Sequence, residues 1–153
     1  MDPTKYEIFQ NFDDKTKKSI CKYLYYTTFD NEQYIKSLTD INVEDFQGRT
    51  PLNCACQHGN IKLVKWLLDN IPYRNVPGGN CDVNYVNKYG QTALMWACAF
   101  GHLDVIQELI NVGANINIID NFGFSALDIC SHNYKLSSNK IYVSIIEILN
   151  KYT

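Results

Sequence analysis

One motif returns three times in this chain, at a spacing that leaves few folds open. Gly48, Gly90 and Gly123 each precede a Thr or Ser by two residues (Thr50, Thr92, Ser125) and a Leu by four (Leu52, Leu94, Leu127). Gly90 and Gly123 lie 33 residues apart, and Gly48 and Gly90 lie 42 apart, which is 33 plus nine. The nine extra residues fall in IPYRNVPGG, Ile71 to Gly79, where two prolines and two adjacent glycines mark a loop. A fixed period of this length means stacked copies of one supersecondary unit.

Within the unit, helix signals sit at matching places. Thr50 is a good N-cap, and Pro51 suits the first helical position, where its missing N–H costs nothing. Further along, apolar residues take helical spacing, at Ile61, Val64, Leu67 and Leu68 and again at Leu103, Ile106, Leu109 and Ile110. Gly59 and Gly101 stand between the two helices of each unit, where the chain needs a left-handed turn. Neither short helix hides its apolar stripe alone, so the units must lean on one another.

The segments RTPLNCACQHGN and GHLDVIQELINVGANIN, together with the repeat ends TDIN (Thr39–Asn42) and CDVN (Cys81–Asn84), resemble the ankyrin repeat over roughly residues 38–150. Asn53 stands where the family has a His. The resemblance implies an all-α fold, an ankyrin repeat solenoid of stacked helix-turn-helix units with projecting β-turn or hairpin fingers. On this register the repeats run 45–86 with the inserted loop 71–79, then 87–119, then a C-terminal capping repeat at 120–153.

Both ends depart from the pattern. In the third copy Tyr134 replaces the glycine between helices, KLSSNK (Lys135–Lys140) looks like a loop, and the aliphatic helix resumes at Val143–Leu149. An insertion of seven residues near 135–140 restores the register, aligning Val105 and Ile106 with Ile145 and Ile146. A stretched connection between the helices is the expectation there. Residues 1–44 carry helix starts at Asp2-Pro3, at Asp13 or Asp14, and at Asp30, where DNEQ resembles a capping box. They suggest a helical N-terminal cap or degenerate repeat; a separate helical recognition segment is the alternative.

Composition narrows the function. A formal net charge of −2 argues against nucleic acid as a direct partner, since binding phosphates needs a basic face. No apolar run reaches membrane-span length, and MDPTKYEIFQ lacks the basic-then-apolar layout of a signal peptide, so an intracellular, cytoplasmic protein is expected, with the nucleus also open to it. Plentiful Asn, Ile, Lys and Tyr with scarce Ala suit an A/T-rich genome such as that of a large DNA virus, a protist parasite or an intracellular bacterium; a pathogen's protein would act in the host cell.

Chemistry is hard to find among these residues. Cys56, Cys98 and Cys130 fall near positions where the resembled family places alanine, so they are expected to be buried small hydrophobes. Cys54 and His58, four apart on one helical face, supply half a zinc site, but no second pair follows at ligand spacing. No nucleophile with its base, carboxylate pair or phosphate loop is legible; Gly78-Gly79 lacks the lysine and spacing of the last. Trp96 takes a core position and is expected to pack there. The expectation is no enzyme, no cofactor and no metal.

The resemblance implies a cupped hand that binds another protein, with fingers at Phe46, Gln47, Arg49, Lys88, Tyr89, Gln91, Asn121, Phe122 and Phe124. The palm residues are Gln57, His58, Ala99, Phe100, His132 and Asn133. Aromatics and Arg anchor binding hot spots, and these positions vary without disturbing the stack. The insert's Tyr73 and Arg74 are either a second recognition element or a tolerated loop. The alternative readings are a pathogen-encoded decoy of a host regulator, an asparagine-hydroxylase substrate modified at Asn42 or Asn84 and, last, a cryptic metal-binding protein or enzyme. A monomer, except when complexed, is expected.

Overall fold

The computed structural model describes residues 44, 48–69 and 82–152. The expectations for the N-terminal helices, for Asn42, Phe46 and Gln47, and for the 71–79 insert lie outside these residues. Among the described residues there are six helices: α1 (Pro51–Gln57), α2 (Ile61–Asp69), α3 (Ala93–Phe100), α4 (Leu103–Asn111), α5 (Ala126–Ser137) and α6 (Ile141–Leu149). An isolated antiparallel bridge joins Ile119 and Ser125. The helices pair as α1–α2, α3–α4 and α5–α6. They stack as two rows, an inner row α1–α3–α5 and an outer row α2–α4–α6. This is the all-α solenoid that the period implies.

Each inner helix starts at the hydroxyl of the recurring motif. Thr50 Oγ1 accepts from the Asn53 N–H at 3.2 Å, and Pro51 follows at the first helical position. Thr92 Oγ1 accepts from Met95 N–H at 3.3 Å, and Ser125 Oγ from Asp128 N–H at 3.2 Å. Asp128 answers by accepting the Ser125 N–H at 2.9 Å, a reciprocal capping box. Such a cap contributes about 1 kcal/mol to its helix.

The core is one continuous run along the stack. Leu52, Leu94, Val64, Val105, Ile106, Leu109, Ile145 and Leu149 are all buried, as are Ala55, Ala97 and the thiols of Cys54, Cys56, Cys98 and Cys130. The small residues lie where inner helices meet, so α1, α3 and α5 approach without bulky side chains between them. A hydrogen bond with Cys130, followed by burial, pushes the Cys98 thiol well above the usual range. That thiol therefore stays protonated and serves as packing rather than as a nucleophile.

The outermost repeat corrects one expectation. The polar stretch 135–140 is not a stretched connection. Helix α5 runs on through Ser137 and stops at Ser138, whose φ of 52° is left-handed. The extra residues thus lengthen the inner helix. With Tyr134 in place of the glycine, nothing turns the backbone there, and Ser137 Oγ donates to Asn133 O at 2.7 Å. Polar residues then appear where earlier repeats are covered. Asp128 is exposed, whereas Asn53 and Met95 at that register are buried. Ser131 follows buried Cys56 and Cys98, and exposed Asn150 follows Leu68 and Ile110. This edge of the stack meets water.

Two predictions follow from the packing. Leu94 is 1% exposed at the centre of the stack, so Leu94→Ala should destabilise by roughly 2–5 kcal/mol in chemical denaturation. Gly90 has φ +77°, and a Cβ there would lie 2.9 Å from Asn121 N, whereas Gly123 at φ +86° has open space. A side chain in left-handed backbone costs roughly 1–2 kcal/mol by itself. Gly90→Ala should therefore lose measurably more stability than Gly123→Ala.

Candidate binding face

The fingers are built twice from the same device. In the first, Asn87 is buried and its Oδ1 accepts the N–H groups of Tyr89 and Gln91, both at 2.9 Å. In the second, buried Asp120 Oδ1 accepts from Phe122 and Phe124, again both at 2.9 Å. The backbone closes each loop through Asn87 N–H to Gln91 O at 3.1 Å and Asp120 N–H to Phe124 O at 2.9 Å. One side-chain oxygen thus fixes two backbone donors and sets the finger's direction. These two supports were not singled out as functional from the sequence, although the Asx-x-x-Gly spacing of NKYG and DNFG carries the signal.

Neighbouring fingers are tied together. Asn121 N–H donates to Tyr89 O at 3.0 Å, and Asn121 Nδ2 to Lys88 O at 3.1 Å. What the fingers present is aromatic: Phe122 is 67% exposed, Phe124 47% and Tyr89 38%. The Lys88 ammonium sits 5.1 Å from the Tyr89 ring centroid, a cation–π contact. Gln91 is half-buried and Asn121 exposed.

Arg49 is not an exposed finger residue. It is 5% exposed, and its Nη1 donates to Gln57 Oε1 at 2.8 Å. Its guanidinium lies down onto α1, where it ties the finger base to the palm. Gln57 is accordingly half-buried, and His58, at the end of α1, is exposed. Partial burial, then the nearby charges of Arg49 and His102, lower the His58 pKa below its ordinary value. On α3, Phe100 is 50% exposed and stacks on half-buried Trp96, with ring centroids 6.4 Å apart and planes at 8°. The Trp96 indole N–H has no acceptor among the described residues. On α5, His132 is exposed, while Asn133 turns inward and donates to Ala99 O at 2.9 Å.

The turns at the far ends of the inner helices form a second set of ties. His102 Nε2 lies 3.0 Å from Gln57 O, joining the second repeat to the first. One repeat on, Tyr142 Oη donates to Ala99 O at 3.1 Å. Ala99 occupies in α3 the place of Gln57 in α1, so Tyr142 does the work of His102 after the seven-residue offset. Burial raises the Tyr142 pKa, and the phenol remains a donor. Asn84 makes the corresponding tie between repeat ends. Its Oδ1 accepts from Asn115 N–H at 2.7 Å and its Nδ2 donates to Gly113 O at 3.3 Å.

Among the described residues no group of three or more His, Cys, Asp or Glu is placed to hold a metal. Cys54 is buried in α1 while His58 is exposed, so the two ends of CACQH face different surroundings. No helix of the described residues is long and apolar enough to cross a membrane.

The family model for ankyrin repeats, in three copies, matches residues 12–77 and 73–149. This chain belongs to the ankyrin repeat family. Ankyrin repeats mediate protein–protein interaction, and the family is typically a non-catalytic interaction module. Among its relatives, a probable E3 ubiquitin-protein ligase XBOS32 of Oryza sativa subsp. japonica is 38% identical over 76 residues, 49% of this chain and 14% of that protein. The serine/threonine-protein kinase TNNI3K of Mus musculus is 39% identical over 75 residues, 49% of this chain and 9% of that one. NF-kappa-B inhibitor alpha of Rattus norvegicus is 30% identical over 86 residues, 56% of this chain and 26% of that one. The ankyrin chain thus spans about a quarter or less of the length of each of these relatives.

The lowered His58 pKa gives a pH prediction for this face. The folded chain resists protonating His58, so below the ordinary value of 6.5 the unfolded chain binds more protons. This contribution is fully present above that pH and is lost as pH falls toward the lowered value. His58→Gln should flatten the fall in urea midpoint between about pH 7 and pH 5 relative to the parent.

Proposed function

We propose that this chain is a non-enzymatic protein-binding module that engages its partner across the fingers and the inner-helix palm. The carrying observation is the row of solvent-facing aromatics, Tyr89, Phe122 and Phe124, held on fingers that are hydrogen-bonded to each other. Large rigid rings on a fixed support are the surfaces that bury well against another protein at low entropic cost. Lys88, Gln91 and Asn121 lie beside them to supply polar contacts, and Phe100, His58 and His132 continue the surface onto the palm.

A second, narrower reading is an inhibitor that imitates a host ankyrin regulator. The 30% identity to NF-kappa-B inhibitor alpha favours it, together with the A/T-type composition. Retention of NF-kappa-B on the immobilised chain is its direct test.

For the general reading, the measurement is partner recovery from cell lysate by immobilised full chain, Tyr89→Ala/Phe122→Ala double variant, and Lys62→Ala as an outer-row control. The double variant should lose the retained protein while the control keeps it. Equal recovery on all three would reject the finger face.

A further inference from the structure

Between its last two repeats the chain shows how one segment seats on the edge of another. Asn84 Oδ1 accepts the Asn115 N–H at 2.7 Å, and Asn84 Nδ2 donates to Gly113 O at 3.3 Å. Further along, Asn121 gives its N–H to Tyr89 O at 3.0 Å and its Nδ2 to Lys88 O at 3.1 Å. Residues 113–121 are thus pinned at both ends along residues 84–89. The receiving edge recurs 33 residues later, with Asn117 for Asn84, Asn121 for Lys88 and Phe122 for Tyr89. Its local build is the same: Asn84 N–H donates to Asp82 Oδ1 and Asn117 N–H to Asn115 Oδ1, both at 2.9 Å.

This second copy of the edge is open. Among the described residues nothing bonds to the Asn117 side-chain amide, to Asn121 O or to Phe122 O, and all three residues are exposed. Ile119 is 63% exposed where its counterpart Val86 is 46%, and Phe122 is 67% exposed where Tyr89 is 38%. From Asn121 to Ser125 every backbone N–H is already spent, on Tyr89 O, Asp120 or Asp128. The last finger therefore offers acceptors and needs donors. The same edge of a second copy would set carbonyls against carbonyls, the Asn117 amide aside. Between Ala114 and Leu127 the one ionisable residue is Asp120, which is buried and holds its own finger, so a charged occupant gains nothing here. At the level of the helices this end of the stack is polar, with Asp128 and Asn150 exposed, so it does not call for another helix pair.

We propose that the edge from Asn117 to Phe122 docks one extended, uncharged stretch of a partner protein's backbone, as residues 113–121 dock on the edge before it. One N–H of that stretch meets Asn117 Oδ1 and a later one meets Phe122 O, in the places of the Asn115 and Asn121 N–H groups one repeat earlier. A side-chain amide meets Asn121 O as the Asn121 amide meets Lys88 O, and apolar side chains cover Ile119 and Phe122. Pairing of this kind takes affinity from main-chain bonds and specificity from the side chains between them. It rests on the protein-binding reading above and adds the form the partner brings, a strand-like chain rather than a helix face.

The probe is the nonapeptide of residues 113–121 with blocked ends and with Asp120→Asn, which removes its one charge. Added to isotope-labelled full chain, it should shift the NMR amide signals of residues 117–124 and leave those of α2 in place. A copy methylated on the two nitrogens that correspond to Asn115 and Asn121 should bind about tenfold more weakly or worse, the loss expected of two hydrogen bonds. Asn117→Ala, at an exposed position, should keep the parent's melting temperature and weaken the unmethylated peptide about fivefold. Affinity should hold steady as salt rises, because no charges are paired. No shift at residues 117–124, equal binding of the methylated copy, indifference to Asn117→Ala or a steep salt dependence overturns the proposal. So does a concentration-dependent doubling of mass in light scattering that Asn117→Ala abolishes, which would seat a second copy on this edge. The two experiments fail separately: a protein still recovered through Tyr89 and Phe122, with no peptide at this edge, leaves the binding function standing and removes the backbone-pairing segment.

Discussion

Close contact between like helices of successive repeats is the constraint on which everything else depends. Among the described residues each helix is covered by its hairpin partner and by its counterparts in adjacent repeats, with no further layer. Leu94 is buried because α1 and α5 flank α3, and Ile106 because α2 and α4 share the outer row. The small side chains of Ala55, Ala97, Cys56, Cys98 and Cys130 set the distance at which this works. A larger residue at any of them would push two repeats apart and open the core on both sides, since interiors relax only partly around added volume. The family's nearest-neighbour character is thus written into the residues with the least bulk.

The regular part of this design was legible in the chain because it is periodic. Turn glycines, hydroxyl caps and aliphatic stripes each recur at the same offsets, and each has a local physical cause. The left-handed φ of Gly48, Gly90 and Gly123 and the capping hydroxyls of Thr50, Thr92 and Ser125 fall at those offsets. What local signals could not carry was the partner of each long polar side chain. Arg49 looked like a finger residue, yet Gln57, eight residues on, draws it onto α1. The tail of α5 looked like a loop because it is polar and its Ser-Ser-Asn run is a poor helix former. Its helix continues because no glycine interrupts it and α6 packs alongside. Tyr142 as a substitute for His102 was hidden for a different reason: equivalence appears only once both hydroxyl and imidazole are seen reaching the same carbonyl position.

Scaffold and candidate binding face are separable in this molecule. Apart from the Asn84 Oδ1 bond to Asn115 N–H and the Lys65–Glu108 ion pair, the ties between repeats described above end on backbone carbonyls, Gln57 O, Ala99 O, Lys88 O, Tyr89 O and Gly113 O. Backbone acceptors are present whatever side chain occupies the position. Tyr89, Lys88 and Phe100 can therefore change identity while the stack keeps its bonds, which is how one architecture can serve proteins as different as the relatives it resembles. The exceptions are Asn87 and Asp120, whose side-chain oxygens hold the finger backbone directly and leave no such freedom.

The bond from Asn121 N–H to Tyr89 O makes adjacent fingers a single stiff comb. A guest meeting that comb encounters rings whose backbone has already been ordered by folding, so less freedom is lost at the moment of contact. The same stiffness makes the teeth interdependent. Damage at the root of one finger, at Asp120 for instance, would misalign the neighbour it is laced to, and a recognition defect measured at Tyr89 need not originate there.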